Sequence, residues 1–166
     1  MEKPLVFLDT DVLASYLRGD LASVHLFDRE ILDRFRIAIN AIILQELLFL
    51  AEVRNQPEII DRIQEKVTIL DFDLVKLDKY WQNARYIRNI LVNSNDVLIL
   101  SSAANCDYLV TYDRQLKKAS SYLDNSKQML VTHEELLEVI DQENIVPYSL
   151  SCQGYKSSNF PLSKVI

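Results

Sequence analysis

The chain has 166 residues, a net charge of −6 and a pI of about 4.9, which argues against a protein that coats nucleic acid through bulk positive charge. Its length suits a single domain, and no apolar stretch approaches the roughly 20 residues of a membrane helix. Only two cysteines are present, so a disulfide framework is excluded and a reducing cytoplasm is expected. The two glycines, Gly19 and Gly154, form no Gly-rich phosphate loop.

The first patterned stretch is the apolar run 5–8, which is typical of a central parallel strand buried on both faces. Asp9 and Asp11 follow it, at the carboxyl end where open α/β sheets bind their ligands. Good helix formers occupy residues 11–18. A carboxylate at this strand-to-helix junction must be solvated, paired or bound to a cation.

Strands and helices alternate along the rest of the chain. We predict strands over residues 36–40, 67–72, 108–111 and 128–131, and helices over 22–33, 41–53, 57–66, 73–91, 96–104, 114–119 and 132–140. This alternation predicts an α/β fold, with helices on both faces of a mostly parallel sheet. Right-handed crossovers then place the carboxyl ends of all strands at one edge. Residues 144–166 lack periodicity, and we expect an irregular tail after a domain spanning 1–143.

Four acidic residues stand out by position. Asp9 and Asp113 lie at strand ends, Asp96 opens an apolar helix, and Glu46 is the only charge in the apolar stretch 41–50. Each has a structural explanation alone: Asp96 and Asp9 as helix caps, Asp113 as a turn residue or cap, and Glu46 on a solvated helix stripe. The four together favour a site, because they could converge at one sheet edge.

Gathered carboxylates need protons or a cation. Two like charges about 4 Å apart repel by roughly 4 kcal/mol at an effective dielectric near 20. Oxygen ligands without histidine or cysteine favour Mg2+ or Mn2+, and we interpret His25 and His133 as structural or surface residues. Such a site at the mouth of an α/β sheet usually handles phosphate, because the metal can ionise a water and neutralise phosphate oxygens.

Four segments resemble PIN-domain nucleases, a family that includes VapC-type toxins of bacterial toxin–antitoxin pairs. They are residues 6–13, 44–47, 95–104 and 107–113, and the last is the most specific because its strand ends in Thr-x-Asp. The resemblance covers residues 5 to about 140. It implies a three-layer α/β/α sandwich and a metal-dependent ribonuclease that uses Mg2+ or Mn2+. It also implies a homodimer and a small antitoxin partner.

The resemblance also implies which residues act. It assigns the catalytic and metal-binding roles to four carboxylates: Asp9, Glu46, Asp96 and Asp113. Thr111 resembles the family's threonine that orients a ligand or water. Asp11 departs from the pattern, since the family often has Asn or Ser there. This fifth carboxylate could tighten metal binding, or it could point away and cap the first helix.

An acidic protein that binds RNA needs local positive charge, because Arg and Lys provide the salt-dependent contacts to phosphate. Most charged residues on helices are simply solvated, but Arg114 lies beside Asp113 and is our favoured RNA contact. The wider set of candidates is Arg18, Arg85, Arg88, Arg114, Lys117 and Lys118.

Two other functions remain open from the sequence. The opening strand followed by Asp-x-Asp is also typical of haloacid-dehalogenase-like phosphatases, in which Asp9 would be the nucleophile and Asp11 the general acid/base. That interpretation leaves Glu46 without a role. The other alternative is a non-catalytic PIN-like interaction scaffold. Mn2+ binding separates the scaffold from the enzymes, and the relative importance of Asp11 and Glu46 separates the two enzymes.

Overall fold

The computed structural model describes residues 2–84, 93–123, 129–131 and 135–136. Within these ranges a five-stranded, fully parallel sheet has the order β3-β2-β1-β4-β5. The strands are β1 (Leu5–Leu8), β2 (Arg36–Asn40), β3 (Val67–Leu70), β4 (Tyr108–Val110) and β5 (Met129–Val131). The helices are α1 (Thr10–Leu17), α2 (Leu21–His25), α3 (Arg29–Arg34), α4 (Ala41–Val53), α5 (Glu58–Gln64), α6 (Leu74–Ala84), α7 (Ser94–Ala103) and α8 (Arg114–Leu123).

The central strand β1 is buried on both faces. Val6, Phe7 and Leu8 are each 0% exposed, and successive strand residues point to opposite faces of a sheet. Both faces of β1 are therefore covered, as an apolar run of this kind predicts for a central parallel strand. The α/β architecture with a parallel sheet between helices is confirmed.

The order in which the chain adds strands to the sheet reverses at β1. From β1 it proceeds outward through β2 to β3, and it then crosses to the other side of β1 to form β4. Leu8 pairs with Val110, and the Asp9 N–H extends the pairing by donating to the Val110 carbonyl at 3.0 Å. Ligand crevices of open α/β sheets form at such switch points, beyond the carboxyl ends of the strands. The residues that follow β1 and β4 therefore line the predicted crevice.

The single helix predicted over 22–33 is wrong. The chain forms the separate helices α2 and α3, because Asp28 has extended backbone (φ −67°, ψ 151°) and interrupts the helical hydrogen bonds. Leu26 and Phe27 lie in the connecting turn and are buried in the core. The apolar spacing that suggested one helix therefore reflects the packing of this turn. Asp20 caps α2 by accepting the Ser23 N–H at 3.1 Å.

Other boundaries differ by short distances. Helix α7 begins at Ser94, two residues before the predicted start, and α8 continues to Leu123 rather than ending at 119. Residues 85–91 of one predicted helix, most of the helix predicted from Thr132, and the predicted tail 144–166 lie outside the described residues. The domain boundary at 143 stays a prediction. No helix in the described ranges is both long and apolar enough to cross a membrane.

Candidate active site

Asp9 is fixed at the junction of β1 and α1. It is the N-cap of α1, where its Oδ1 accepts the Thr10 N–H at 2.7 Å. Its Oδ2 accepts the hydroxyl of Thr111 at 2.7 Å, and the residue is 6% exposed. Burial, reinforced by the charge of Asp11, raises the pKa of Asp9 to about 7, although both hydrogen bonds oppose the rise. This carboxyl group is therefore poised between its charged and neutral forms near neutral pH.

Thr111 connects the ends of the two central strands. Its buried hydroxyl donates to Asp9 and accepts the Asp113 N–H at 3.0 Å. Asp113 in turn accepts the N–H groups of Gln115 and Leu116 through Oδ1, at 2.6 and 3.3 Å, at the start of α8. Asp113 thus has the predicted capping role, and it also lies close enough to Asp9 for its charge to raise the Asp9 pKa.

Glu46 is held by two side chains that the sequence did not single out. Its neighbours Ile43 and Leu47 are buried in the core, which leaves Glu46 half-buried at the sheet edge. The Thr10 hydroxyl donates to Oε2, and the Asn95 amide donates to Oε1 at 3.0 Å. Glu46 therefore does not lie on a freely solvated helix stripe, because both of its oxygens are hydrogen-bonded.

Asp96 is the third residue of α7 and half-buried. Its Oδ2 accepts the N–H of the N-cap residue Asn93 at 2.8 Å, which is one half of a capping box. The cap itself is Asn93, so Asp96 supports the helix start from the N3 position. Burial raises the pKa of Asp96, and the charges of Asp113 and Glu46 add to the rise. The residue thus has a structural role and also lies within the field of the other acids.

Asp11 does not occupy the N-cap position of α1, which belongs to Asp9. Its Oδ2 accepts the Tyr112 N–H at 2.9 Å and connects α1 to the segment after β4. Its Oδ1 is buried and has no hydrogen-bond partner among the described residues. Burial raises the pKa of Asp11. The alternative in which Asp11 points away and caps the first helix is therefore wrong.

The structure brings the four predicted acids and Asp11 together. They line one open cleft of about 700 Å³ at the switch point, and no Lys or Arg among the described residues lines it. The other lining residues are Thr10, Asn93, Ser94, Asn95 and Ile99. The predicted convergence of these side chains at one sheet edge is observed, while their catalytic and metal-binding roles stay predictions.

The donor set of this cleft fits a hard divalent cation. All five charged groups are carboxylates, and three of them have pKa values raised by burial and in part by one another's charge. A cation bound in the cleft would relieve that repulsion. In the described ranges, however, no three acidic, histidine or cysteine side chains lie close enough to hold an ion as they stand. The fit of a divalent cation to this cleft therefore rests on the chemical type of the donor atoms and not on a ligand geometry that is already formed.

The predicted RNA-contact residues are only partly described. Arg114 is exposed at the first position of α8, directly after Asp113. Lys118 is exposed on the same helix, whereas Lys117 lies 3.9 Å from the Glu135 carboxylate. Arg18 donates to the Ser15 hydroxyl. Arg85 and Arg88 lie outside the described residues. Nothing in these contacts tests the proposed role of Arg114.

The fold and cleft define a class of α/β protein with an acidic site at the carboxyl edge of a parallel sheet. The model of the PIN domain family matches residues 6–121, so the chain belongs to the PIN-domain family. The family is one of nucleases, which are hydrolases.

Two solved structures share the fold. One is VapBC2 from Rickettsia felis bound to a promoter DNA fragment. Its TM-score is 0.59 at 20% identity, and the match covers 77% of this chain and 98% of that one. FitAcB from Neisseria gonorrhoeae has a TM-score of 0.56 and 16% identity, over 78% of this chain and 98% of that one. No curated protein sequence matches the chain.

Proposed function

We propose that the chain is a metal-dependent, toxin-type endoribonuclease that hydrolyses RNA phosphodiester bonds. The observation that carries the proposal is the cleft in which Asp9, Glu46, Asp96, Asp113 and Asp11 meet, in a member of a nuclease family. The carboxylates of the cleft would repel a negatively charged phosphodiester. Binding one there therefore needs a cation between the carboxylates and the substrate.

Mg2+ or Mn2+ held by Asp9, Glu46, Asp96 and Asp113 would lower the pKa of a bound water and neutralise charge on the phosphate. The chain's own contribution is orientation and charge. Thr111 and the Thr10 N–H fix the two oxygens of Asp9 and favour its ionised form. In the reaction, the attacking water loses a proton as its oxygen bonds to phosphorus, the bond from phosphorus to the leaving ribose oxygen breaks, and that oxygen takes up a proton.

Arg114, the first residue of α8 and the residue directly after Asp113, is the proposed contact to an RNA phosphate, which a guanidinium can bind with two hydrogen bonds. The toxin role, the small antitoxin partner and the homodimer rest on the resemblance to VapC-type toxins and on the fold shared with VapBC2. The cytoplasmic location rests on cysteine content alone.

The phosphatase alternative is less well supported. It requires Asp11 to exchange a proton with substrate, yet Asp11 Oδ2 accepts the Tyr112 N–H and Oδ1 is buried. It also gives no role to Glu46, which lines the same cleft. The scaffold alternative gives no reason for five carboxylates to lie together at a cost in repulsion.

The test is cleavage of structured and single-stranded RNA in Mn2+, Mg2+ or EDTA. Asp9→Asn and Glu46→Gln should lower the rate at least 100-fold, roughly the effect of losing an essential acid–base or charged group. Asp107→Asn is the matched control, because Asp107 accepts the Leu5 N–H at 2.8 Å, at the opposite edge of the sheet. Asp11→Asn measures the importance of the fifth carboxylate.

Cleavage that persists in EDTA, or in both active-site variants, would overturn the proposal. So would an absence of both cleavage and Mn2+ binding in the wild type. If the wild type cleaved no RNA but hydrolysed a phosphomonoester, and Asp11→Asn abolished that hydrolysis while Glu46→Gln retained it, the phosphatase alternative would replace the nuclease.

A further inference from the structure

We infer that Thr10 and Asn95 are positioning residues that together hold the Glu46 carboxylate in its working orientation. The inference rests on the proposed function and adds two residues to it. Thr10 donates to Glu46 Oε2, and Asn95 donates to Glu46 Oε1 at 3.0 Å. We call this pair of hydrogen bonds the Glu46 clamp.

The clamp joins three helices at the cleft. Thr10 is the first residue of α1, Glu46 lies in the middle of α4, and Asn95 is the second residue of α7. Both donors sit at helix starts that are fixed by neighbouring contacts. The N-cap Asp9 accepts the Thr10 N–H, and Asp96 accepts the Asn93 N–H at the start of α7. The donors are therefore anchored, whereas Glu46 has a long side chain that would otherwise sample several rotamers.

The chemistry of the donors suits a cation ligand. A hydroxyl and an amide are neutral, so they orient the carboxylate without cancelling its charge, as an Arg or Lys partner would. An ionised carboxylate has about four acceptor sites, and the clamp supplies one donor to each oxygen. Acceptor capacity therefore remains on both oxygens. Residues that hold a metal ligand in this way typically change metal affinity or activity about 10- to 100-fold when they are removed.

The clamp also sets the distance between charges. Glu46 and Asp96 line the same cleft, and Asn95 is the residue directly before Asp96. Holding Glu46 against α7 therefore keeps two like charges near each other. Without the two donors, repulsion would favour rotamers of Glu46 that point away from the cleft.

The experiment is a calorimetric titration of the full chain with Mn2+, run alongside RNA cleavage. Thr10→Val and Asn95→Ala should each weaken Mn2+ binding roughly tenfold, by analogy with the loss of other groups that orient metal ligands. Thr10→Ser keeps the hydroxyl and should restore near wild-type affinity. Gln45→Ala is the matched control, since Gln45 is an exposed neighbour of Glu46 on α4, and it should bind Mn2+ as the wild type does.

The decisive comparison uses Glu46→Ala as the background. If Thr10 and Asn95 act through Glu46, then adding Thr10→Val or Asn95→Ala to Glu46→Ala should weaken Mn2+ binding no further. RNA affinity measured in EDTA should also be unchanged by Asn95→Ala, because a positioning residue does not contact the substrate. Thermal unfolding of each variant establishes that it is folded.

Three results would overturn the inference. The first is an Mn2+ affinity equal to that of the wild type in both Thr10→Val and Asn95→Ala. If Asp9→Asn still loses Mn2+ binding, this result leaves the proposed function intact. An equal loss in the presence and absence of Glu46 would show that the two residues act independently of it. A wild-type protein that neither binds Mn2+ nor cleaves RNA would remove the inference and the proposed function together.

Discussion

The Thr111 hydroxyl lies 2.7 Å from Asp9 Oδ2, although 102 positions separate the two residues. This contact joins the segment after β4 to the segment after β1, which are the two strands beside the switch point. It also opposes the effect of burial on the Asp9 pKa. The charge of the most buried acid in the cleft therefore depends in part on this hydroxyl group.

Thr111→Val tests that dependence. Removing the hydroxyl leaves Asp9 Oδ2 without its donor, so the pKa of Asp9 should rise further and the cleft should bind Mn2+ only at higher pH. We expect the free energy of unfolding to fall by about 1–3 kcal/mol at pH 8, the usual cost of a buried polar group that loses its partner. Urea denaturation and Mn2+ titration against pH provide the measurements. Thr111→Ser is the control, and a Val variant that matches the wild type in both would contradict the account.

The raised pKa of Asp9 predicts how stability varies with pH in EDTA. The pKa is 3.8 without the fold and about 7 within it, so between these values the folded state keeps a proton that the unfolded state has released. Stability should therefore fall as pH rises through this window, and it should level off above pH 7. A rise of about three units in the pKa of Asp9 corresponds to a loss of roughly 4 kcal/mol in the free energy of unfolding across this window.

Asp9→Asn isolates this effect from that of Asp11 and Asp96, whose raised pKa values act in the same direction. The variant should have nearly wild-type stability at pH 4 and should be more stable than the wild type at pH 8. Urea denaturation across this range, with EDTA present, measures the difference. If the free energies of unfolding of the variant and the wild type varied with pH in parallel, a raised pKa of Asp9 would be excluded.

A divalent cation should stabilise the fold at pH 8. Binding to the folded state alone adds about 2.7 kcal/mol when the ligand is at 100 times its Kd. Mn2+ should therefore raise the melting temperature of the wild type, and Asp9→Asn should lose most of the increase. Differential scanning calorimetry with KCl at matched ionic strength separates binding from screening. An equal increase in both proteins would indicate binding elsewhere.

Arg114→Ala should weaken RNA binding without changing Mn2+ affinity. In a Glu46→Gln background, where cleavage is expected to be slow, loss of one phosphate contact should lower the slope of log K against log salt by about one. Arg29→Ala is the control, since Arg29 on α3 has a side chain that is 94% exposed. Identical salt slopes for the Arg114 variant and its parent would exclude a phosphate contact at Arg114.

The sequence was sufficient to predict the parts of the molecule that depend on local pattern. The apolar run of β1 and the acids after β1 and β4 follow from strand burial and sheet topology, and Glu46 is conspicuous because its stretch is otherwise uncharged. The break at Asp28 was missed because the apolar spacing continues across it. Thr10 and Asn95 were missed because their contacts with Glu46 span 36 and 49 positions, which no local pattern reveals.

The most direct test of the central claim is an analysis of the RNA ends produced in Mn2+. If water attacks phosphorus at the carboxylate cleft, the wild type should leave linear phosphate ends, and Asp9→Asn and Glu46→Gln should produce almost none. A 2′,3′-cyclic phosphate at the cut would instead mean that the ribose hydroxyl is the nucleophile. That result, or linear ends formed equally well by both variants, would contradict the account.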